Sequence, residues 1–176
     1  GAKGTINAVK AASSKIANPL QARYWSMVPY QLGLGAEREA VKYSVRACSQ
    51  GTDTIPNKPN QNFLREALRN ELNNHDTCME FLIQPRTSPK MLTEDSMTEW
   101  KENKASFYTV ATIRIPQQVF DTPEQNKFCE NLSFTPWHAL PDHKPLGAIN
   151  RLRKVIYENI STVRHRMNAA PRQEPQ

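Results

Sequence analysis

The sequence lacks any long apolar run: nothing in its 176 residues approaches the roughly 18 apolar residues that a spanning helix needs, so no membrane span is expected. It lacks a signal-peptide pattern, and it opens Gly1-Ala2-Lys3-Gly4 without a methionine, which predicts a processed chain or one excerpted from a longer polypeptide. Glycine is scarce, 6 residues against 13 prolines, so long ordered connections are expected rather than flexible linkers. The three cysteines, Cys48, Cys78 and Cys129, have neither CxxC nor other metal-ligand spacing. An odd count without a framework predicts structural thiols in a reducing, intracellular compartment, cytoplasmic or organellar. No internal repeat is present.

The composition allows one compact domain, with 38% apolar residues to form its core. The net charge is +6 and the pI near 9.3. A nucleic-acid surface favours clustered Lys and Arg interleaved with aromatics; here the cations are dispersed, and no nucleic-acid partner is expected. The densest group is Arg151, Arg153, Lys154, Arg164 and Arg166 near the C-terminus. It reads either as a solvated helix face or as a site for a small, multiply anionic ligand.

Along the chain, residues 1–23 read as a helical or irregular arm. The aromatic stretch Tyr24 to Leu34 is partly alternating, and Ala40 to Cys48 alternates Val41, Tyr43, Val45 and Ala47 with polar residues. That period of two marks a half-buried strand, with a hairpin loop over 35–39. A polar connection over 49–60 leads to a helix over 62–74, on which Phe63, Leu64, Ala67, Leu68 and Leu72 form one stripe. Strands follow at 77–84 and 106–115, separated by an aperiodic stretch over 85–104. Thr122-Pro123-Glu124 is a helix start, and a last helix runs from about 146 to 168. The tail over 169–176 is Pro/Gln-rich and frayed. Four strands in hairpin order leave two sheet edges, which folded proteins cover, shorten or close. The α+β reading is therefore of a sheet completed by further polypeptide, against the alternative of a self-contained domain.

On the last helix, Arg153 and Tyr157 are four residues apart and Arg164 is seven further on. At about 100° per residue all three fall within a narrow arc, flanked by Asn150 and by Ile160 or Ser161. Such a tyrosine is ordinarily a packing residue. A neighbouring guanidinium, however, favours a phenolate, and tyrosinate is the proximal iron ligand of catalase-type haem sites. Arg164 would then suit a haem propionate.

At this point the chain resembles the C-terminal half of the catalase superfamily, in particular its small catalase-like haem proteins. Tyr24-Trp25-Ser26-Met27 followed by Ala40-Val41-Lys42-Tyr43 is similar to a strand pair in the second half of the catalase barrel. The stretch ENLSFTPWHALPDHKPLGAINRLRKVIY, Glu130 to Tyr157, resembles the segment that delivers an arginine and, four residues later, the iron-binding tyrosine. The resemblance covers roughly residues 22–168. It implies the second half of a catalase-type antiparallel β-barrel with a C-terminal proximal haem helix over 24–168, completed by an N-terminal, distal half as a separate chain or removed segment. It further implies b-type ferric haem, Tyr157 as metal ligand, Arg153 as the arginine that polarises it, Arg164 at a propionate, and an oligomer.

Some residues depart from the pattern. Val155 replaces the usual Phe, Glu158-Asn159-Ile160 replaces a Pro-Asp-Thr-like run, and Met27 stands where catalases carry a His near the arginine. The distal His and Asn have no counterpart: His75, His138, His143 and His165 lie in the wrong segments. The implied function is a catalase-like or peroxidase-like oxidoreductase acting on hydrogen peroxide or fatty-acid hydroperoxides. The alternative is a catalytically silent structural subunit of a catalase-fold complex, and a stand-alone basic binding domain is a third reading. Among the other candidates, His138, Asp142 and His143 match no zinc pattern and read as a polar loop. Cys129 reads as a buried, inert thiol, Trp100 and Trp137 as packing anchors, and Asn73 to Asp76 as a helix-ending turn.

Overall fold

The computed structural model describes residues 15–172, so most of the expected arm and the last four residues of the tail lie outside the described residues. Five strands, β1 (Tyr24–Trp25), β2 (Tyr30–Leu32), β3 (Glu39–Ala47), β4 (Thr77–Pro85) and β5 (Tyr108–Ile115), accompany three helices, α1 (Phe63–Asn74), α2 (Pro123–Glu130) and α3 (Gly147–Met167). The α+β class and the three helices agree with the periodicities. The strands form one antiparallel sheet in the order β1-β3-β4-β5, with β2 also paired to β3. The sheet is open rather than a closed barrel.

Local chemistry explains the elements. β4 buries Met79, Leu82, Ile83 and Gln84, so it is covered on both faces. β5 is the opposite case. Every residue from Tyr108 to Arg114 is exposed, and no further strand lies beyond it among the described residues. The expected strand over 24–34 is two short ones, because the chain turns away between them through Pro29, which has no N–H to give a ladder. α2 starts as its sequence demands. Thr122 Oγ1 accepts from the Gln125 N–H at 3.2 Å, and the Gln125 side chain accepts from the Thr122 N–H at 3.4 Å, a reciprocal capping box.

The chain divides into two compact units, and β3, β4 and β5 each run from one into the other. Of the described residues, the first comprises 15–24, 45–81 and 109–119. In it α1 ends as expected at Asn74, where the Leu72 and Asn73 carbonyls receive Gln118 and Gln117 at 2.7 and 2.6 Å. Asp76 accepts from Arg114 at 2.7 Å and from the Gln117 N–H at 2.9 Å; these bonds hold its carboxyl below the usual range.

This unit also corrects the cysteine reading. Cys48 and Cys78 are disulfide-bonded, with Cα atoms 5.7 Å apart, because the end of β3 lies beside the start of β4. With two of three thiols paired, cysteine usage no longer points to a reducing compartment. Cys129 is a free thiol but exposed, not buried, since no residue of α2 is buried. The disulfide closes a sequence separation of 30 residues. Replacing both cysteines by serine is expected to remove about 2–4 kcal/mol of stability, measured as the shift in urea unfolding relative to the oxidised parent.

Of the described residues, the second unit comprises 25–44, 82–108 and 120–172. Its aperiodic stretch is ordered around a cluster of Met91, Trp100 and Ala105. Gln84, buried on β4, donates to the Trp100 and Ala105 carbonyls at 2.9 and 2.8 Å. Both expected packing tryptophans also carry cations, Lys42 over Trp100 at 5.0 Å and Lys154 over Trp137 at 5.2 Å.

Candidate functional site

α3 begins at Gly147, whose φ of +84° places it in the region open to glycine, and whose missing Cβ lets the Thr93 carbonyl approach. One turn on, Asn150 is fully buried. Its side-chain amide donates to the Pro29 carbonyl at 3.1 Å and to the Leu146 carbonyl at 2.9 Å, while its backbone carbonyl receives Trp137 Nε1 at 2.7 Å. These bonds fix the start of the helix and therefore the direction in which its later residues point.

The four-residue spacing of Arg153 and Tyr157 produces the contact it implies. Arg153 donates to the Tyr157 hydroxyl at 3.0 Å, with its guanidinium carbon 5.1 Å from the ring centroid. Arg153 also reaches Asn150 Oδ1 at 3.5 Å. Burial opposes its charge, but the hydrogen bond to Tyr157 and the electrostatic influence of the Tyr157 and Tyr30 phenols outweigh that and hold its basicity above the usual value. Both Arg153 and Tyr157 are half-buried.

Arg164 is occupied differently. It donates to the Leu132 carbonyl, and beside it His165 Nε2 meets the Asn131 carbonyl at 2.8 Å. Together these tie the last turns of α3 to the segment after α2. The Arg164 Nε is buried without a partner, at the edge of an open groove of about 420 Å³ lined by Ile160, Val163 and Met167. Neither Arg153 nor Tyr157 lines that groove. Met27, at the position where the resemblance places a histidine, is 81% exposed.

One contributor was not singled out from sequence as a site residue: Asn150 registered only as a flank of the Arg/Tyr stripe. Among the described residues no three His, Cys, Asp or Glu side chains converge as on a metal ion. No helix there is long and apolar enough to cross a membrane.

The open sheet with its long C-terminal helix defines a catalase-like fold. Among solved structures that match is a fungal catalase determined at 1.9 Å, with a TM-score of 0.64 and 14% identity over 84% of this chain. The match covers 32% of the fungal chain, so the protein spans about a third of that catalase's length. No family model and no curated protein matches the sequence.

Proposed function

We propose that this chain forms the proximal side of a tyrosinate-ligated haem site in a catalase-like oxidoreductase acting on hydrogen peroxide or fatty-acid hydroperoxides. The observation that carries the reading is the 3.0 Å bond from Arg153 to the Tyr157 hydroxyl, on the long helix of a catalase-like fold.

The residues present fit the group. A phenol and two guanidiniums share one helix with an exposed apolar stripe of Ile149, Leu152, Ile156, Ile160, Val163 and Met167. That mixture suits a flat apolar molecule bearing a trivalent metal and carboxylates. The buried Arg164 Nε is an unsatisfied donor, costly unless an acceptor arrives, and a propionate would supply one. Bound haem would supply the ferric iron at which a peroxide O–O bond is cleaved. Tyr157 would hold the iron through its oxygen, and Arg153 would keep that oxygen anionic and oriented.

The exposed stripe of α3 supports a further reading: a distal half, as a separate chain or another part of this one, covers it. Complete catalysis then depends on that half, and an oligomer is the working state.

The test is haemin titration of the chain together with any polypeptide that co-purifies with it. A Soret band with a ferric-tyrosinate charge-transfer band is expected in the parent and absent in Tyr157→Phe. Arg153→Leu keeps the phenol but removes its cation, and should weaken haem affinity by roughly 10–100-fold. An intact complex that stays colourless would instead identify a structural subunit and overturn the proposal.

A further inference from the structure

We infer that the Cys48–Cys78 disulfide is a redox-sensitive clasp: reduction by a small dithiol releases the connection over 49–59 and opens the cavity it lines, while the rest of the fold stays formed. The inference is independent of the haem reading and concerns the first unit alone.

The bond is within reach of a reductant. Both cysteines line an open cavity of about 560 Å³, which is also lined by residues 49–53 and by Asn18 and Gln21. Cys48 is exposed and Cys78 half-buried, so a thiolate in the cavity meets the bond without the protein unfolding. Exposed disulfides are the readily reduced ones, whereas those that serve only structure resist.

What the bond holds is otherwise lightly held. From Ser49 to Pro59 the chain forms no helix or strand, and among the described residues its hydrogen bonds all run through Asp53. The Asp53 N–H donates to Gln21 Oε1 at 3.2 Å, and its carboxylate receives Asn18 Nδ2 at 2.7 Å. Asn18 is buried, and its Oδ1 accepts from the Leu20 N–H at 3.0 Å, which roots this anchor in the single turn over Pro19–Gln21. Gly51, having no side chain, leaves room for that of Gln21. At the other end the Cys48 N–H donates to the Cys78 carbonyl at 3.2 Å, beside the disulfide itself. Past Pro59 the chain is fixed again: the Asn60 side chain accepts from the Asn62 N–H at 2.7 Å and donates to Glu66 of α1 at 3.0 Å.

Reduction removes the covalent anchor and leaves Asp53. A thiolate of the dithiol attacks one sulfur, forming a mixed disulfide and expelling the other cysteine as a thiolate. The second thiol of the reductant then displaces the remaining cysteine and closes a cyclic disulfide. Each cysteine gains one electron, and the two protons of the dithiol end on Cys48 and Cys78. The rest of the unit keeps its own bonds: the Gln118 N–H ties the Leu72 carbonyl of α1 at 2.7 Å, and Arg114 holds Asp76 at 2.7 Å. Opening is therefore a local unfolding confined to the weakly bonded connection.

The test uses Cys129→Ser, so that the disulfide pair alone is counted as thiols, with dithiothreitol as the dithiol. In the oxidised protein the rate at which Cys48 and Cys78 become alkylated should rise in proportion to dithiothreitol, past the global unfolding rate measured in urea. A rate that levels off at the unfolding rate would mean that the bond is reached only by unfolding, and would overturn the clasp; this arm needs no folded reduced protein. In the reduced protein the Asp53 amide should exchange roughly tenfold faster, the protection one hydrogen bond confers, while the Gln118 amide stays protected. Reoxidation should restore the slow Asp53 rate, and the double variant Cys48→Ser, Cys78→Ser should hold the fast one. Loss of Gln118 protection on reduction would mean that the whole unit unfolds, and unchanged Asp53 exchange would mean that the connection does not depend on the bond. Either result overturns the proposal.

Discussion

Asn150→Asp is expected to destabilise the protein by about 3–5 kcal/mol, the range found when a charge is buried without compensation. The substitution is nearly isosteric, so packing is preserved and only the chemistry of one atom changes. In the parent, the Asn150 amide nitrogen donates to two carbonyls, those of Pro29 and Leu146. A carboxylate oxygen in that place would face the same two carbonyls with no hydrogen to offer, at a position with no solvent exposure. Arg153 lies 3.5 Å from Asn150 Oδ1 and would offset part of the cost, but only by turning toward residue 150 and away from Tyr157. Urea unfolding measures the loss. A variant as stable as the parent would mean that the junction between β2 and α3 is held by other contacts.

A second large effect is expected at Gln84. In Gln84→Leu the strand keeps its buried apolar character, but the Trp100 and Ala105 carbonyls lose their side-chain donor. Two buried acceptors at about 1–3 kcal/mol each give a loss of roughly 2–6 kcal/mol. The damage should be local, because those carbonyls belong to the stretch gathered around Met91 and Trp100. Faster amide exchange confined to residues 86–107, together with the lower unfolding midpoint, is the expected signature. Uniformly faster exchange throughout the chain would contradict it.

These two residues mark the boundary of what the sequence made legible. Periodicity and capping chemistry identified α1, α2, α3 and the longer strands, because those signals are local and repeat every two or three to four residues. The Arg153–Tyr157 contact was legible for the same reason, as a four-residue step on a helix has one geometry. Gln84 was not: a polar residue at the end of an apolar strand looks like an edge until the loop that folds over it is known. Tyr30 was invisible because its bridge to Pro145 joins segments more than a hundred residues apart, and no local pattern encodes it. The disulfide failed to show because its spacing reflects which strand ends are adjacent, a property of topology and not of motif. Arg164 was placed on the correct helix, but its donation to the Leu132 carbonyl depends on where the chain after α2 returns.

The exposure of β5 has a consequence for how this protein is made. Its residues YTVATIRI combine β-branched and aromatic side chains with a single charge, at Arg114, on a strand with no neighbour beyond it among the described residues. Such a segment is a template for cross-β stacking between identical chains. Timing therefore matters during synthesis: while this edge stays uncovered another copy can pair with it, and concentration-dependent aggregation is the expected outcome for the chain on its own.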